Sequence, residues 1–333
     1  MGWKGAVRSI GAAVRAAERD AKRRQRDLER RRQQYAKMQD LEQAAYEVEV
    51  YENHIDVIQS IHKECSPPID WNKIASSKQP VEPKMNTDNE SEARHSLESY
   101  KPGIIGRLFK REEKKRAFLS QKIDEAIKRD EDKYKSSVLR WEQDVEEWRE
   151  SISIANALLD GNAKAKIDVI DSLQSFSEIS NLGSDLSISI HKNGMLEATI
   201  NVHGTEIVPS ETKSLLKSGK LSVKSMPKGK FNEIYQDYVC SCVLRVGNEL
   251  FSAIPDNLVI VTAVDELLDS KTGHLEEAPI LSVAMSRSTI KRLNLEAIDP
   301  SDSMDNFKHN MSFKKTKGFE RVARVDAEEL DYV

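Results

Sequence analysis

The sequence predicts an α+β protein in which an N-terminal coiled-coil hairpin of long helices precedes a compact α+β domain with a mixed or antiparallel sheet. Three observations predict this class. Residues 16–64 consist mainly of good helix formers, and their apolar side chains recur at heptad spacing. A second block, 112–160, repeats a helical period. Beyond residue 184 the apolar residues alternate or form short continuous runs, which is typical of strands.

The first predicted region, 1–65, is a long helix that begins basic and continues with a heptad pattern. Between Val7 and Glu64 there is no proline, and Pro67 and Pro68 then end the helix. The steps between apolar positions alternate between three and four residues, which defines a coiled-coil seam. These positions are Met38, Leu41, Ala45, Val48, Tyr51, Ile55, Ile58 and Ile61.

Residues 66–111 are predicted to be a linker, because proline, serine and mixed charge leave little apolar surface to bury. The region 112–160 is a second long amphipathic helix with Ile123, Trp141, Val145 and Trp148 on its apolar stripe. Long heptad-patterned helices pair with other helices, so we expect self-association through a coiled coil. The alternative is that each helix packs on the C-terminal domain. The sequence also leaves open whether the two helices pair in one chain or between chains.

The α+β domain is expected over 172–322, followed by a tail at 323–333. Asn193-Gly194 lies between two alternating segments and predicts a tight hairpin. Ser210 and Gly219 bracket a predicted short helix, and a long, mostly apolar helix follows over Phe231–Ile254. The remaining predicted elements are buried strands within 257–266 and 279–287, a helix over 288–298, a helix starting at Asp299 and an edge strand within 311–325.

Positive charge is concentrated at the N-terminus of a chain whose net charge is −4. Residues 1–34 contain eleven Lys or Arg against four Asp or Glu. Three interpretations stay open: a solvated helix face, a helix that binds the nucleic-acid backbone, or a helix that lies on an anionic membrane. The predicted anion-binding residues are Arg19, Arg23, Arg24, Arg26, Arg30, Arg31 and Arg32. The membrane-facing residues of the third interpretation are Trp3, Val7, Ile10 and Val14.

A second cationic segment runs from Thr212 to Asn232, with six lysines and no acid. Lys220, Lys224, Lys228 and Lys230 are the candidate anion-binding residues of this segment. Lys314, Lys315 and Lys317 form another cationic stretch. If the two stretches meet on one face, the α+β domain carries a phosphate-attracting surface. The alternative is an ordinary lysine-bearing loop.

The long helix of the α+β domain carries polar residues every four positions, which places them in one slanting row. The row consists of Glu233, Asp237, Ser241, Arg245 and Glu249. One interpretation is a narrow solvent-facing stripe of ion pairs. The other is a pocket lined by Glu233 and Asp237, with Arg245 as an anion clamp.

The sequence has no nucleotide-binding, nucleophile-elbow or zinc-protease motif, and we expect no cofactor and no metal site. Cys65, Cys240 and Cys242 do not form a metal-binding pair, and free thiols with no spanning segment favour a cytoplasmic location. A metal-dependent phosphodiester hydrolase or nuclease would use Glu211, Lys213 and Asp265. Because Glu-x-Lys occurs often by chance, the sequence favours a non-catalytic function.

The sequence therefore predicts a non-catalytic, oligomeric coiled-coil binding or scaffold protein whose basic N-terminal helix engages the nucleic-acid backbone or another anionic surface. The nuclease and a peripheral membrane-surface protein are the two alternatives.

Overall fold

The computed structural model describes residues 40–101, 111–173, 185–202 and 207–330. These residues belong to two units, one within Lys73–Ser153 and the other composed of residues 40–72 and 154–330. Over the described ranges the structure confirms an α+β protein with a mixed sheet. The helices are α1 (Asp40–Gln59), α2 (Trp71–Ala75), α3 (Asp88–Glu98), α4 (Arg111–Leu159), α5 (Ala163–Asp171), α6 (Lys228–Ala253) and α7 (Arg287–Ile290).

The strands of the second unit form one large sheet and two small hairpins. Its main sheet has the order β1-β2-β5-β6-β7, and β3 pairs only with β4, as β8 does with β9. The strands are β1 (Asp185–Ile190), β2 (Leu196–Asn201), β3 (Glu211–Leu215), β4 (Leu221–Ser225), β5 (Leu258–Leu268), β6 (Leu275–Ser286), β7 (Lys308–Met311), β8 (Phe313–Lys314) and β9 (Gly318–Phe319). Strands β2 and β5 are parallel and are joined through α6, and the other neighbours are antiparallel, so the sheet is mixed.

The first unit is built on α4, a helix of 49 residues that continues into the second unit after Ser153. Two tryptophans fasten the extended chain before α3 to this helix. Trp141 Nε1 donates to the carbonyl of Pro80 at 3.0 Å, and Trp148 Nε1 donates to that of Ser77 at 3.1 Å. The buried Asp130 of α4 accepts hydrogen bonds from the backbone of Glu90 and the side chain of Asn89, which holds the start of α3. The segment predicted to be a linker therefore contains ordered helices.

The core of the second unit lies between α6 and one face of the main sheet. Alternate residues of β5, including Val259, Val261 and Ala263, are fully buried on this face. Gly247 of α6 permits a close approach, because a Cβ built there would lie 2.3 Å from Met285 Sδ on β6. The predicted hairpin at Asn193-Gly194 is present, and Gly194 has the positive φ, +83°, that its turn requires.

The opposite face of the main sheet combines a polar centre with a small apolar cluster of Met195, Ile260 and Ala327, and the chain after β9 covers it. Glu197 of β2 accepts hydrogen bonds from Thr262 of β5 at 2.8 Å and from Arg324 at 2.5 Å. Thr262 also bonds Ser282, whose hydroxyl accepts from the backbone of Val325 at 2.9 Å. A buried carboxylate thus stabilises the C-terminal segment on the sheet through paired hydrogen bonds.

Three local predictions were wrong. The short helix between Ser210 and Gly219 is instead the first half of the β3–β4 hairpin, with Gly219 in its turn at φ +79°. A glycine after a helix and a glycine in a hairpin turn both need positive φ, so the sequence signal was ambiguous. The helix predicted over 288–298 has only its first turn in α7, and the edge strand predicted within 311–325 is the short β8–β9 hairpin followed by an extended segment.

The long-helix prediction is confirmed for α4, whereas the coiled-coil hairpin remains a prediction. The basic residues 1–34, predicted to begin the first helix, all lie outside the described residues. Among the helices that the structure describes, none combines the length and the apolar character needed to cross a bilayer.

Candidate anion-binding surface

The predicted cationic residues fall into three groups. The arginines from Arg19 to Arg32 and the membrane-facing residues from Trp3 to Val14 lie outside the described residues. Lys220 and Lys224 lie on the β3–β4 hairpin, while Lys228 and Lys230 lie in the first turn of α6. All four of these lysines are exposed.

The two cationic stretches of the second unit meet at the start of α6. The β8–β9 turn lies against the first turn of this helix, because a Cβ on Gly229 would lie 3.2 Å from Lys315 Cε. Asn232 Nδ2 donates a hydrogen bond to the carbonyl of Lys315 at 2.6 Å and fastens the turn there. The C-terminal end of the first stretch therefore adjoins the second stretch, whereas Lys220 and Lys224 lie on the β3–β4 hairpin. We call Lys228, Lys230, Lys314, Lys315 and Lys317 the lysine surface.

The charges of the lysine surface are only partly neutralised. Lys315 forms an ion pair with Glu233, and Lys314 lies 3.7 Å from Glu320. In the described part of the chain no carboxylate lies within ion-pair distance of Lys228, Lys230 or Lys317. The first turn of a helix adds partial positive charge from its free N–H groups. The lysine surface, with five lysines and the two carboxylates of Glu233 and Glu320, therefore carries a net positive formal charge.

The carboxylate beside the lysine surface responds to it. A hydrogen bond from the Ser312 hydroxyl and the charges of Lys314 and Lys317 hold the pKa of Glu320 below its ordinary value. A carboxylate stays ionised beside cations, as a phosphate would. An anionic ligand would compete with Glu320 and Glu233 for the same lysines.

The polar row of α6 is covered by the chain's own residues 59–66. Gln59 Nε2 donates to Asp237 at 2.7 Å, and the backbone N–H of His62 donates to Ser241 Oγ at 3.0 Å. Ser66 N–H donates to Glu249 at 3.0 Å. We call these contacts the α6 seam. The centre of the row therefore neither faces solvent nor lines an open pocket.

The residues predicted to line a pocket have partners within the fold. Glu233 pairs with Lys315 at the exposed end of the row, and Asp237 is bound by Gln59. The buried Arg245 lies 3.0 Å from Glu249, one helical turn away, and both are nearly inaccessible to solvent. A buried ion pair of this kind needs both partners, since either charge alone would be costly.

Burial shifts the pKa values of two groups at the α6 seam in opposite directions. Desolvation lowers the pKa of His62, and nearby Lys63 lowers it further, although the Leu295 carbonyl, Glu296 and Asp299 raise it. Desolvation and the charge of Asp299 raise the pKa of Asp237 despite hydrogen bonds from Ser301 and Gln59. Both shifts favour the neutral form, as expected for groups removed from water.

The residues of the nuclease alternative are distributed between two sheets. Glu211 and Lys213 lie on β3, and Lys213 Nζ forms an ion pair with Glu47 of α1 at 3.0 Å. Asp265 lies on β5 and accepts a hydrogen bond from the buried Tyr235 hydroxyl. No cluster of three or more His, Cys, Asp or Glu in the described ranges is arranged to hold a metal ion.

The first unit contains an open groove of about 730 Å³ between Pro80–Pro83 and α4. Arg129, Lys133 and Arg140 line it together with Asp132 and Asp144. Side chains of both signs therefore line this groove.

Comparisons of this chain with protein-family models, curated proteins and solved structures found no match. The candidate site is thus defined by geometry and charge alone.

Sequence reasoning missed the contacts that complete both regions. Asn232 carried no signal that it would hold the β8–β9 turn, and Gln59 and His62 carried none that they would meet α6. The one available clue was the regular polar row on an otherwise apolar helix, because buried polar groups need hydrogen-bond partners.

Proposed function

We propose that this protein is a non-catalytic, oligomeric binding protein that engages a polyanion, with the nucleic-acid backbone as the preferred ligand. The convergence of Lys228 and Lys230 with the 314–317 turn at the start of α6 carries this proposal. Several unneutralised lysines at one helix end provide the charge that phosphate groups require. The N-terminal arginines extend the same chemistry.

Binding of this kind depends on the charge of the nucleic acid and not on its base sequence. Lysine behaves as a flexible point charge, and phosphate contacts position a duplex without distinguishing its bases. We therefore expect similar affinity for unrelated duplexes and a steep loss of affinity with salt.

The experiment measures fluorescence anisotropy of a labelled 20-base-pair DNA duplex with the full chain over a series of salt concentrations. Charge reversal in Lys228→Glu/Lys230→Glu is expected to weaken binding and to reduce the log–log salt slope by about 1 for each phosphate that the variant no longer binds. The matched control is Lys164→Glu/Lys192→Glu, which reverses two exposed lysines elsewhere in the second unit. Equal affinity of the two double variants would contradict the proposal.

The contribution of the N-terminus needs a separate measurement. Arg30→Glu/Arg31→Glu/Arg32→Glu is expected to weaken duplex binding further. Flotation with phosphatidylserine vesicles tests the membrane alternative, in which Trp3→Ala reduces flotation while duplex binding is absent.

We also propose that the long helices pair between copies as a coiled coil. Apolar side chains remain exposed on both, including Val50 and Val57 of α1 and Phe118 and Leu139 of α4. Helix pairing would remove this apolar surface from water. Leu139→Lys is expected to lower the mass of the full chain in light scattering, whereas Glu142→Lys on the same helix is not.

A further inference from the structure

The β5–β6 hairpin ends in a surface that combines leucines with like charges. Leu268 and Leu275 are directly paired across the strands and are 66% and 62% exposed. Two positions along, Glu266 is paired with Glu277, and both are exposed. Because alternate residues of a strand share a face, the leucine pair and the glutamate pair lie on the same side of the hairpin. We call these four residues the acidic tip.

The glutamate pair is unfavourable in the isolated chain. Like charges directly opposite each other on antiparallel strands repel and destabilise the pairing. In the described part of the chain the only hydrogen bond to either side-chain carboxylate is from Asn201 Nδ2 to Glu277, at 3.4 Å. A cation from a partner would reduce the repulsion between the two glutamates, and an apolar partner surface would cover the two exposed leucines. The acidic tip therefore favours a partner that is both basic and apolar.

The same chain carries a surface with the complementary chemistry. The β3–β4 hairpin exposes Leu215 and Leu216 beside its turn, together with Lys217, Lys220 and Lys224. Its turn is well defined, since Leu216 N–H donates to the carbonyl of Lys220 at 2.9 Å. No carboxylate in the described ranges is within ion-pair distance of these three lysines. We call this surface the basic tip.

We propose that the acidic tip of one copy of this chain docks on the basic tip of a second copy. Glu266 and Glu277 would meet Lys217 and Lys220, and the exposed leucines of the two tips would exclude water from the contact. Charge complementarity within one sequence selects a second copy as the partner. Two copies related by a two-fold axis would make this contact twice, and open-ended association would make it once at each joint.

The test is a charge swap on the full chain, measured by light scattering or sedimentation velocity. One variant is Glu266→Lys/Glu277→Lys, and the other is Lys217→Glu/Lys220→Glu. Each alone places like charges at every contact, so we expect its self-association to weaken by more than about tenfold. An equimolar mixture of the two restores opposite charges at every contact and should regain the mass of the wild-type protein.

The quadruple variant combines Glu266→Lys/Glu277→Lys with Lys217→Glu/Lys220→Glu and controls for a folding defect. Its tips carry opposite charges again, so it should associate as the wild-type protein does. Glu131→Lys/Glu142→Lys, on exposed positions of α4, is the matched control for net charge and should keep the wild-type mass. Equal mass for wild-type protein and both tip variants overturns the proposal. Failure of the mixture to regain the wild-type mass also overturns it.

The coiled-coil and polyanion proposals give different outcomes. Association through the long helices would be lost in Leu139→Lys and kept in the tip variants. Duplex binding that survives in monomeric tip variants would show that docking and polyanion binding are independent.

Discussion

Helix α6 packs in two different ways on its two sides. Toward the sheet its contacts are mostly apolar and close, as at Gly247 and Met285, with the hydrogen bond from Tyr235 to Asp265 as a polar exception. Toward residues 59–66 the helix also makes polar contacts, in which a distant part of the chain donates hydrogen bonds to Asp237, Ser241 and Glu249. The apolar side is insensitive to exact partners but sensitive to volume, whereas the polar side depends on each partner being present.

The largest expected effect is on the polar side. Glu249→Ala removes the acceptor for Ser66 N–H and leaves Arg245 as a buried charge without its carboxylate. Breaking one partner of a buried pair costs about 3–5 kcal/mol, so we expect a loss of that size in the free energy of unfolding by urea. Arg245→Met/Glu249→Leu, which removes both charges, should lose less. An equal or greater loss in the double variant would show that the ion pair is not the cause.

A smaller effect is expected on the apolar side. Gly247→Ala places a Cβ 2.3 Å from Met285 Sδ, and overpacking of this kind costs about 1–3 kcal/mol. Met285→Ala in the same chain should recover part of that loss, because it vacates the space. Chemical denaturation of the two single variants and the double variant measures this coupling. Strict additivity of the two losses would contradict the close approach of helix and strand.

The smallest effect is a pH dependence at the α6 seam. Because burial lowers the folded-state pKa of His62, the unfolded chain takes up this proton first as the pH falls through the ordinary value of 6.5. Stability should therefore decrease below about pH 6.5, by at most about 1.4 kcal/mol per pH unit for one proton. Asp237 acts oppositely, since its raised pKa favours folding at lower pH. This gain builds as the pH falls through the raised folded-state pKa and is complete near the ordinary value of 3.8.

The measurement compares urea midpoints at pH 7.5 and 5.5 for the wild-type protein and His62→Gln. Glutamine retains an amide that can bond Ser241 but does not titrate, so the difference between the two pH values should shrink. His274→Gln changes an exposed histidine and serves as the control. An unchanged pH difference in His62→Gln would assign the effect to other groups.

The apolar side of α6 could be predicted from the sequence, whereas the partners of its polar side could not. The apolar side of α6, the buried strands and the Asn193-Gly194 turn follow from local periodicity and turn chemistry, and all were predicted. The polar side was predicted as a row, but its partners lie about 180 positions away along the chain. Local patterns do not encode such pairings. The lysine surface had the same limit, since Lys315 and Gly229 are adjacent only in the folded chain.

The α6 seam also has a consequence for synthesis of the chain. His62 and Ser241 are separated by 179 positions, so the covering segment leaves the ribosome well before the helix that it covers. At typical translation rates this interval is roughly 10 to 35 seconds. During that time Ile58, Ile61 and Trp71, all buried in the finished protein, have no finished helix to pack on. Nascent chains should therefore bind general chaperones until residue 253 has left the ribosome. A chain truncated before α6 should stay bound to these chaperones for longer.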